Sequence, residues 1–152
     1  MAYCIDTSAF IEAGTRRYPI DVFPAFWSAL VGLAHEGQIV SPEEVFLELR
    51  AKADPLHEWA RAQRGMFVPL DGAQMVATSK VLREFPRLVG SLNRRYDADA
   101  FVVALAETRG LTVVTEENHG TRDRPRIPLA CEYFDVPCVD TLAWIRKLRL
   151  SF

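Results

Sequence analysis

The chain has 152 residues, 49% hydrophobic and 25% charged, with a formal net charge of −2. This balance fits one globular domain, residues 1–152, with a sizeable core and excludes disorder, while the near-neutral charge means any nucleic acid must be held by a local basic patch or by metal. No apolar run approaches the roughly 20 residues of a membrane helix, the early carboxylate Asp6 is unlike a signal peptide, and three cysteines (Cys4, Cys131, Cys138) without a CxxC exclude a disulfide framework and a zinc ribbon.

Tyr3-Cys4-Ile5 reads as a short strand ending at Asp6-Thr7-Ser8. Helix follows from Ser8, breaks near Gly14 to Pro19, and resumes from Pro24 to His35, where Phe26, Trp27, Leu30, Val31 and Ala34 recur at spacings of three and four. Gly37 closes that helix. Gln38-Ile39-Val40 predicts a strand, and Ser41-Pro42-Glu43-Glu44 a helix start, with serine as cap and proline at the first helical position. That helix carries Val45, Leu49 and Lys52 to a break at Asp54-Pro55, and a second runs from Leu56 to Ala62. Phe67 to Leu70 predicts an edge strand, because Pro69 cannot donate to a ladder. Helices are expected over Gly72 to Glu84 and Asp97 to Arg109. Leu111 to Thr115 is a β-branched strand after Gly110, Val136 to Val139 a last strand, and Asp140 caps a terminal helix. About five short strands with intervening helices predict a three-layer α/β fold with a parallel sheet.

In such sheets functional groups collect beyond the carboxyl ends of the strands. Asp6 follows the first strand, Glu48 lies on the helix after the second, Asp99 begins a long helix, and Glu117 follows Val113-Val114. Carboxylates gathered together repel and are costly to desolvate unless a cation neutralises them. Hard oxygen donors suit Mg²⁺ or Mn²⁺ and phosphate chemistry. Taken singly, each acid also has a plain structural use: Asp6, Asp97 or Asp99 as a helix cap, Glu48 as a solvated surface charge.

Four segments carry a resemblance. Ile5-Asp6-Thr7-Ser8, Glu48-Leu49, Asp99-Ala100-Phe101-Val102-Val103-Ala104-Leu105-Ala106 and Val113-Val114-Thr115-Glu116-Glu117 resemble, in order, the four motifs of PIN domains. The Ser41 to Val45 stretch and the Ile127-Pro128 region resemble an uncharacterised bacterial branch of that superfamily. The resemblance implies strand order 3-2-1-4-5 and the chemistry of VapC-type ribonuclease toxins. It implies Asp6, Glu48, Asp99 and Glu117 as catalytic, metal-binding acids for Mg²⁺ or Mn²⁺. Glu117 stands where the family has Asp, and Glu116 is its substitute. Thr7 or Ser8, with Thr115 and Asp97, would support the acids. The implied partners are RNA, a protein antitoxin and a second copy of the chain. The competing function is a PIN-like scaffold that binds RNA or protein without catalysis.

Arginines fall in three groups, Arg16-Arg17, Arg94-Arg95, and Arg122, Arg124, Arg126. Each reads as phosphate contact or as solvated loop charge, and Arg94-Arg95 is the favoured RNA-binding pair. Trp27, Trp59 and Trp144 read as packing residues, although the early helix bearing Phe26 and Trp27 is a candidate contact surface. His119 is expected to be exposed. No Gly-rich phosphate loop and no Gly-x-Gly-x-x-Gly follow a strand, so no nucleotide cofactor is expected. The expected location is the cytoplasm, with no membrane association.

Overall fold

A computed structural model describes residues 2–51, 54–89 and 98–150. Strands β1 (Tyr3–Ile5), β2 (Ile39–Pro42), β3 (Phe67–Val68), β4 (Thr112–Val114) and β5 (Cys138–Val139) form one five-stranded sheet in the order β3-β2-β1-β4-β5. Every neighbouring pair is parallel, with Cys4 in register with Val40 and Val113, and Val113 with Cys138. This is the PIN-like order that the four motifs implied, and it leaves β3 at an edge, as Pro69 indicated.

All three residues of central β1 are buried and apolar, the pattern of a strand covered on both faces. Successive side chains of a strand point to opposite faces. The Tyr3 ring meets Trp144 edge-on at 6.1 Å, while the Cys4 thiol donates to the Val102 carbonyl at 3.7 Å. Trp144 belongs to helix α8 (Thr141–Leu148) and Val102 to α6 (Asp99–Arg109), so these two helices cover opposite sides of the sheet. The result is three layers. Helix α5 (Gly72–Glu84) packs along α6, opened by a reciprocal capping box between Asp71 and Gln74. Gly110, at φ 66°, ends α6 in the left-handed conformation that glycine adopts without strain.

Helix α1 (Thr7–Glu12) widens into a π turn over Ala13–Arg17, and α2 (Pro24–His35) follows after Tyr18. The Trp27 indole N–H donates to the Tyr18 carbonyl at 2.6 Å, and Phe26 stacks on Tyr18 with ring centroids 4.5 Å apart. Phe26 and Trp27 are therefore core residues, which removes the contact surface expected of them; Val22 and Phe23 just upstream are the exposed apolar side chains.

One local expectation is corrected. Ser41 does not cap a helix: it lies in β2, its hydroxyl donates to the Ile5 carbonyl at 2.7 Å, and Pro42 takes the cap position before α3 (Glu43–Arg50). A buried β1 carbonyl outcompetes the local cap. Helix α3 ends at Arg50, and Lys52 lies outside the described residues. After it come α4 (Asp54–Ala62) and, unforeseen in the residue pattern, α7 (Ile127–Tyr133). Among the described residues no helix is long and apolar enough to cross a membrane.

Ser41→Ala should lower stability by about 1–3 kcal/mol, because it strips a donor from a fully buried carbonyl. Urea denaturation should show a lower midpoint at unchanged slope; an unchanged midpoint would refute this role of the hydroxyl.

Candidate functional site

Asp6 sits one residue beyond the carboxyl end of β1 and is 1% exposed. Its backbone N–H continues the ladder by donating to the Val114 carbonyl at 2.9 Å, so the central pair β1–β4 aims the side chain. One carboxylate oxygen is richly held. Oδ2 accepts from the Ser8 hydroxyl at 2.7 Å, the Thr115 hydroxyl at 2.9 Å and, at 3.4 Å, the Ser8 N–H. Each hydroxyl is itself polarised from behind. The Glu116 N–H donates to Ser8 Oγ at 3.0 Å and the Glu117 N–H to Thr115 Oγ1 at 3.1 Å. Two short relays thus run from the backbone after β4 into a single oxygen, and chained hydrogen bonds of this kind reinforce one another.

The other oxygen, Oδ1, is buried and has no hydrogen-bond partner. Burial holds the Asp6 carboxyl above the usual carboxylate range, against the opposing pull of the hydrogen bonds from Ser8 and Thr115. A buried carboxylate oxygen lacking a donor is an unmet electrostatic demand. Thr7 does not supply the orienting hydroxyl; its Oγ1 is buried without a partner, and Ser8 does that work. Asp6 also fills the plain role of capping α1, through the long bond from Ser8 N–H.

Glu48 reaches the start of α6, the helix that Asp99 begins. Glu48 Oε1 accepts the Ala98 N–H at 2.5 Å, and Asp99, 7% exposed, is the first residue of the helix. Ala98 caps α6 without a side-chain bond of its own, so a carboxylate from α3 meets the positive end of α6. Glu48 is no idle surface charge.

Glu117 and Glu116 turn to other helix starts. Glu117 Oε2 accepts the Ile127 N–H at 3.1 Å at the beginning of α7, and its Oε1 lies 3.7 Å from the Arg126 guanidinium. Glu116 Oε1 accepts the Thr141 N–H at 2.9 Å at the beginning of α8. Among the described residues no three His, Cys, Asp or Glu side chains stand in an arrangement that could hold a metal ion. The acids expected to converge are tied into the fold in two separate groups. Asp6 is bound through Thr115 to the Glu116-Glu117 turn, and Glu48 is bound to the helix that carries Asp99. Asp97, Arg94 and Arg95 lie outside the described residues. His119 Nε2 contacts Glu132 Oε2 at 2.6 Å on the surface, and all three cysteines are free thiols.

The anchoring of α7 by Glu117 could not be read from the sequence. Arg126, its N-cap, makes no capping bond, and Pro128 in the first turn is the single local signal. The partner that satisfies the first N–H lies ten residues back along the chain.

The family model described as "Domain of unknown function (DUF4411)" matches residues 3–152. No curated protein matches the chain. Solved structures of similar fold include a chain of VapBC2 from Rickettsia felis bound to a DNA fragment from their promoter, at TM-score 0.55 and 12% identity, covering 92% of this chain and 98% of that one. A chain of FitAcB from Neisseria gonorrhoeae matches at TM-score 0.55 and 16% identity, with the same coverage. PAE2754 from Pyrobaculum aerophilum matches at TM-score 0.52 and 15% identity, covering 98% of this chain and 97% of that one. Identities this low carry the architecture alone.

A carboxyl whose pKa is raised by folding contributes stability that is complete below its unfolded-state pKa and is lost as pH rises through its folded-state pKa. Asp6 is such a group. Asp6→Asn, neutral at every pH, should therefore be more stable than the parent at neutral pH in metal-free buffer, with the gap closing toward acidic pH. A variant that is less stable to the same degree at every pH would show that the buried charge has no such cost.

Proposed function

We propose that this chain, which belongs to the family described as "Domain of unknown function (DUF4411)", is a divalent-metal-dependent endoribonuclease acting as the toxin half of a toxin–antitoxin pair. The observation that carries this reading is the buried Asp6 carboxylate, fixed on one oxygen by two hydroxyls and bare on the other. The order of its four motifs supports the same reading through their likeness to PIN domains. So does a fold shared with chains of VapBC2 and FitAcB.

The donor chemistry fits Mg²⁺ or Mn²⁺. Such ions take hard oxygen ligands, and Mg²⁺ commonly uses one or two protein carboxylates, completing its shell with water and phosphate oxygens. Asp6 Oδ1 would be the leading ligand, with Asp99 and Glu48 at the start of α6 completing the acidic wall. When bound, the cation would supply charge for the RNA phosphodiester and lower the pKa of a water nucleophile. Ser8 and Thr115 hold the Asp6 carboxylate in one orientation. The amino end of α6 favours anionic groups brought near it, whether Glu48 or a phosphate. Glu117 acts as a positioning residue that ties α7 to the site. The reading includes one domain spanning residues 1–152, a cytoplasmic location, a protein antitoxin as partner and a homodimer.

A second reading, a catalytically silent PIN-like scaffold, is favoured by one specific observation: Glu116 and Glu117 are already engaged at the starts of α8 and α7.

Purified protein incubated with mixed RNA should cleave it with Mn²⁺ and not with EDTA, and Asp6→Asn and Asp99→Asn should abolish cleavage while remaining folded. Full activity in both variants would overturn the assignment. Mn²⁺ at about 100 times its Kd should also stabilise the parent by about 2.7 kcal/mol, and Asp6→Asn should lose that gain. No stabilisation and no cleavage together would favour the scaffold.

A further inference from the structure

After Glu117 the chain forms a tight hairpin in which Gly120 bridges Pro125. The Thr121 N–H donates to the Arg124 carbonyl at 3.1 Å, and the Arg124 N–H donates to Thr121 Oγ1 at 3.1 Å. Gly120, at φ 75°, is required there: a Cβ would lie 2.6 Å from the Arg124 carbonyl oxygen. The hairpin is thus a built structure, and its tip is pinned to the corner that ends α5. Arg122 Nη2 lies 3.4 Å from Glu84 Oε1, and Arg87 Nη1 donates to the Asp123 carbonyl at 3.4 Å.

Between corner and hairpin lies a cleft of about 280 Å³, bordered by residues 84–87 together with Arg122, Asp123 and Pro125. Tyr133 stands beside it, with its ring set edge-on against Phe85 at 5.2 Å and Phe134 at 4.9 Å. Neighbouring rings fix the Tyr133 plane, yet the residue is 51% exposed. A rigid exposed aromatic beside two guanidinium groups has the composition of a site for single-stranded nucleic acid, in which a base stacks and arginine holds the backbone. The acids favour a nucleotide over a bare phosphate, since carboxylates can accept from the amino and imino N–H groups of a base edge. The hairpin that borders the cleft is tied at its base to Glu117, whose Oε1 lies 3.7 Å from the Arg126 guanidinium.

We propose that the cleft between the 84–87 corner and the 121–125 hairpin is a nucleotide subsite for single-stranded RNA, with a base on Tyr133 and phosphate on Arg87 and Arg122. It rests on the ribonuclease reading and extends it by placing a stretch of substrate that flanks the cleaved bond. Arg122 belongs to a group that sequence alone left open between phosphate contact and solvated charge; Arg87 and Tyr133 carry no sequence signal.

The test is fluorescence anisotropy of a short labelled single-stranded oligoribonucleotide in EDTA, so that cleavage does not intervene. Replacing both arginines (Arg87→Gln with Arg122→Gln) should weaken binding and lower the log–log salt slope by about 1.4, the value for two lost contacts to a single strand. Tyr133→Leu should weaken binding about 5- to 150-fold, the range for one stacked base. Tyr133→Phe should bind like the parent. Thermal melts verify that each variant folds, and Arg87→Lys with Arg122→Lys, which keeps the charge, should retain the salt slope. Parent-like affinity and slope in the glutamine and leucine variants would overturn the subsite while Mn²⁺-dependent cleavage by the unmodified chain upheld the ribonuclease reading. Failure of the unmodified chain both to bind and to cleave RNA would overturn the two together.

Discussion

The structure turns on a carboxylate buried at the end of its central strand and held on one side only. Asp6 is carried there by β1, which is apolar on both faces and hemmed by β2 and β4. Ser8 from α1 and Thr115 from the end of β4 bind the same oxygen, so one hydroxyl two residues away and one 109 residues away converge on one atom. Burial makes the remaining oxygen costly to leave ionised and correspondingly strong in attracting positive charge, since electrostatic interactions strengthen as water is excluded.

Around Asp6 the other acids act as architecture as much as chemistry. Glu48 meets the start of α6, Glu117 that of α7 and Glu116 that of α8. Neither Ala98 nor Arg126 supplies a capping side chain, so α6 and α7 depend on carboxylates delivered from elsewhere. A parallel sheet with crossover helices sends successive helix amino ends toward the carboxyl edge of its strands. Their leading N–H groups and positive dipole ends give each of these carboxylates a favourable partner.

The hairpin after Glu117 extends the same economy outward. Its base contacts the acidic site through Arg126, and its tip locks onto the end of α5 through Arg122 and Arg87. The Glu116-Glu117 turn and the hairpin are therefore parts of one connected loop system that leaves the sheet at β4. Such loops, positioned by a rigid sheet, are where binding functions concentrate.

Strands β1 and β4 and the helices with caps or glycine stops were legible in the residues themselves. Their signals are local: apolar runs, periodicity, Asp140 before α8, Gly110 after α6. The sheet order was legible only through the likeness of four motifs to a known family. Other features depended on partners far along the chain. Ser41 looked like a helix cap until a buried carbonyl of β1 claimed its hydroxyl, and Phe26 and Trp27 looked available until Tyr18 folded over them. Helix α7 had no cap of its own to announce it, and the bonds of Glu117 and Glu116 to the starts of α7 and α8 reach ten and twenty-five residues along the chain. Sequence by itself determined which segments become strands and helices and which acids end them, because those depend on neighbours within a few residues. Only the tertiary structure decided which oxygen of Asp6 stays bare and where Arg87, Arg122 and Tyr133 meet, because hydrogen-bond competition and burial are settled between residues that the fold, not the chain, makes adjacent.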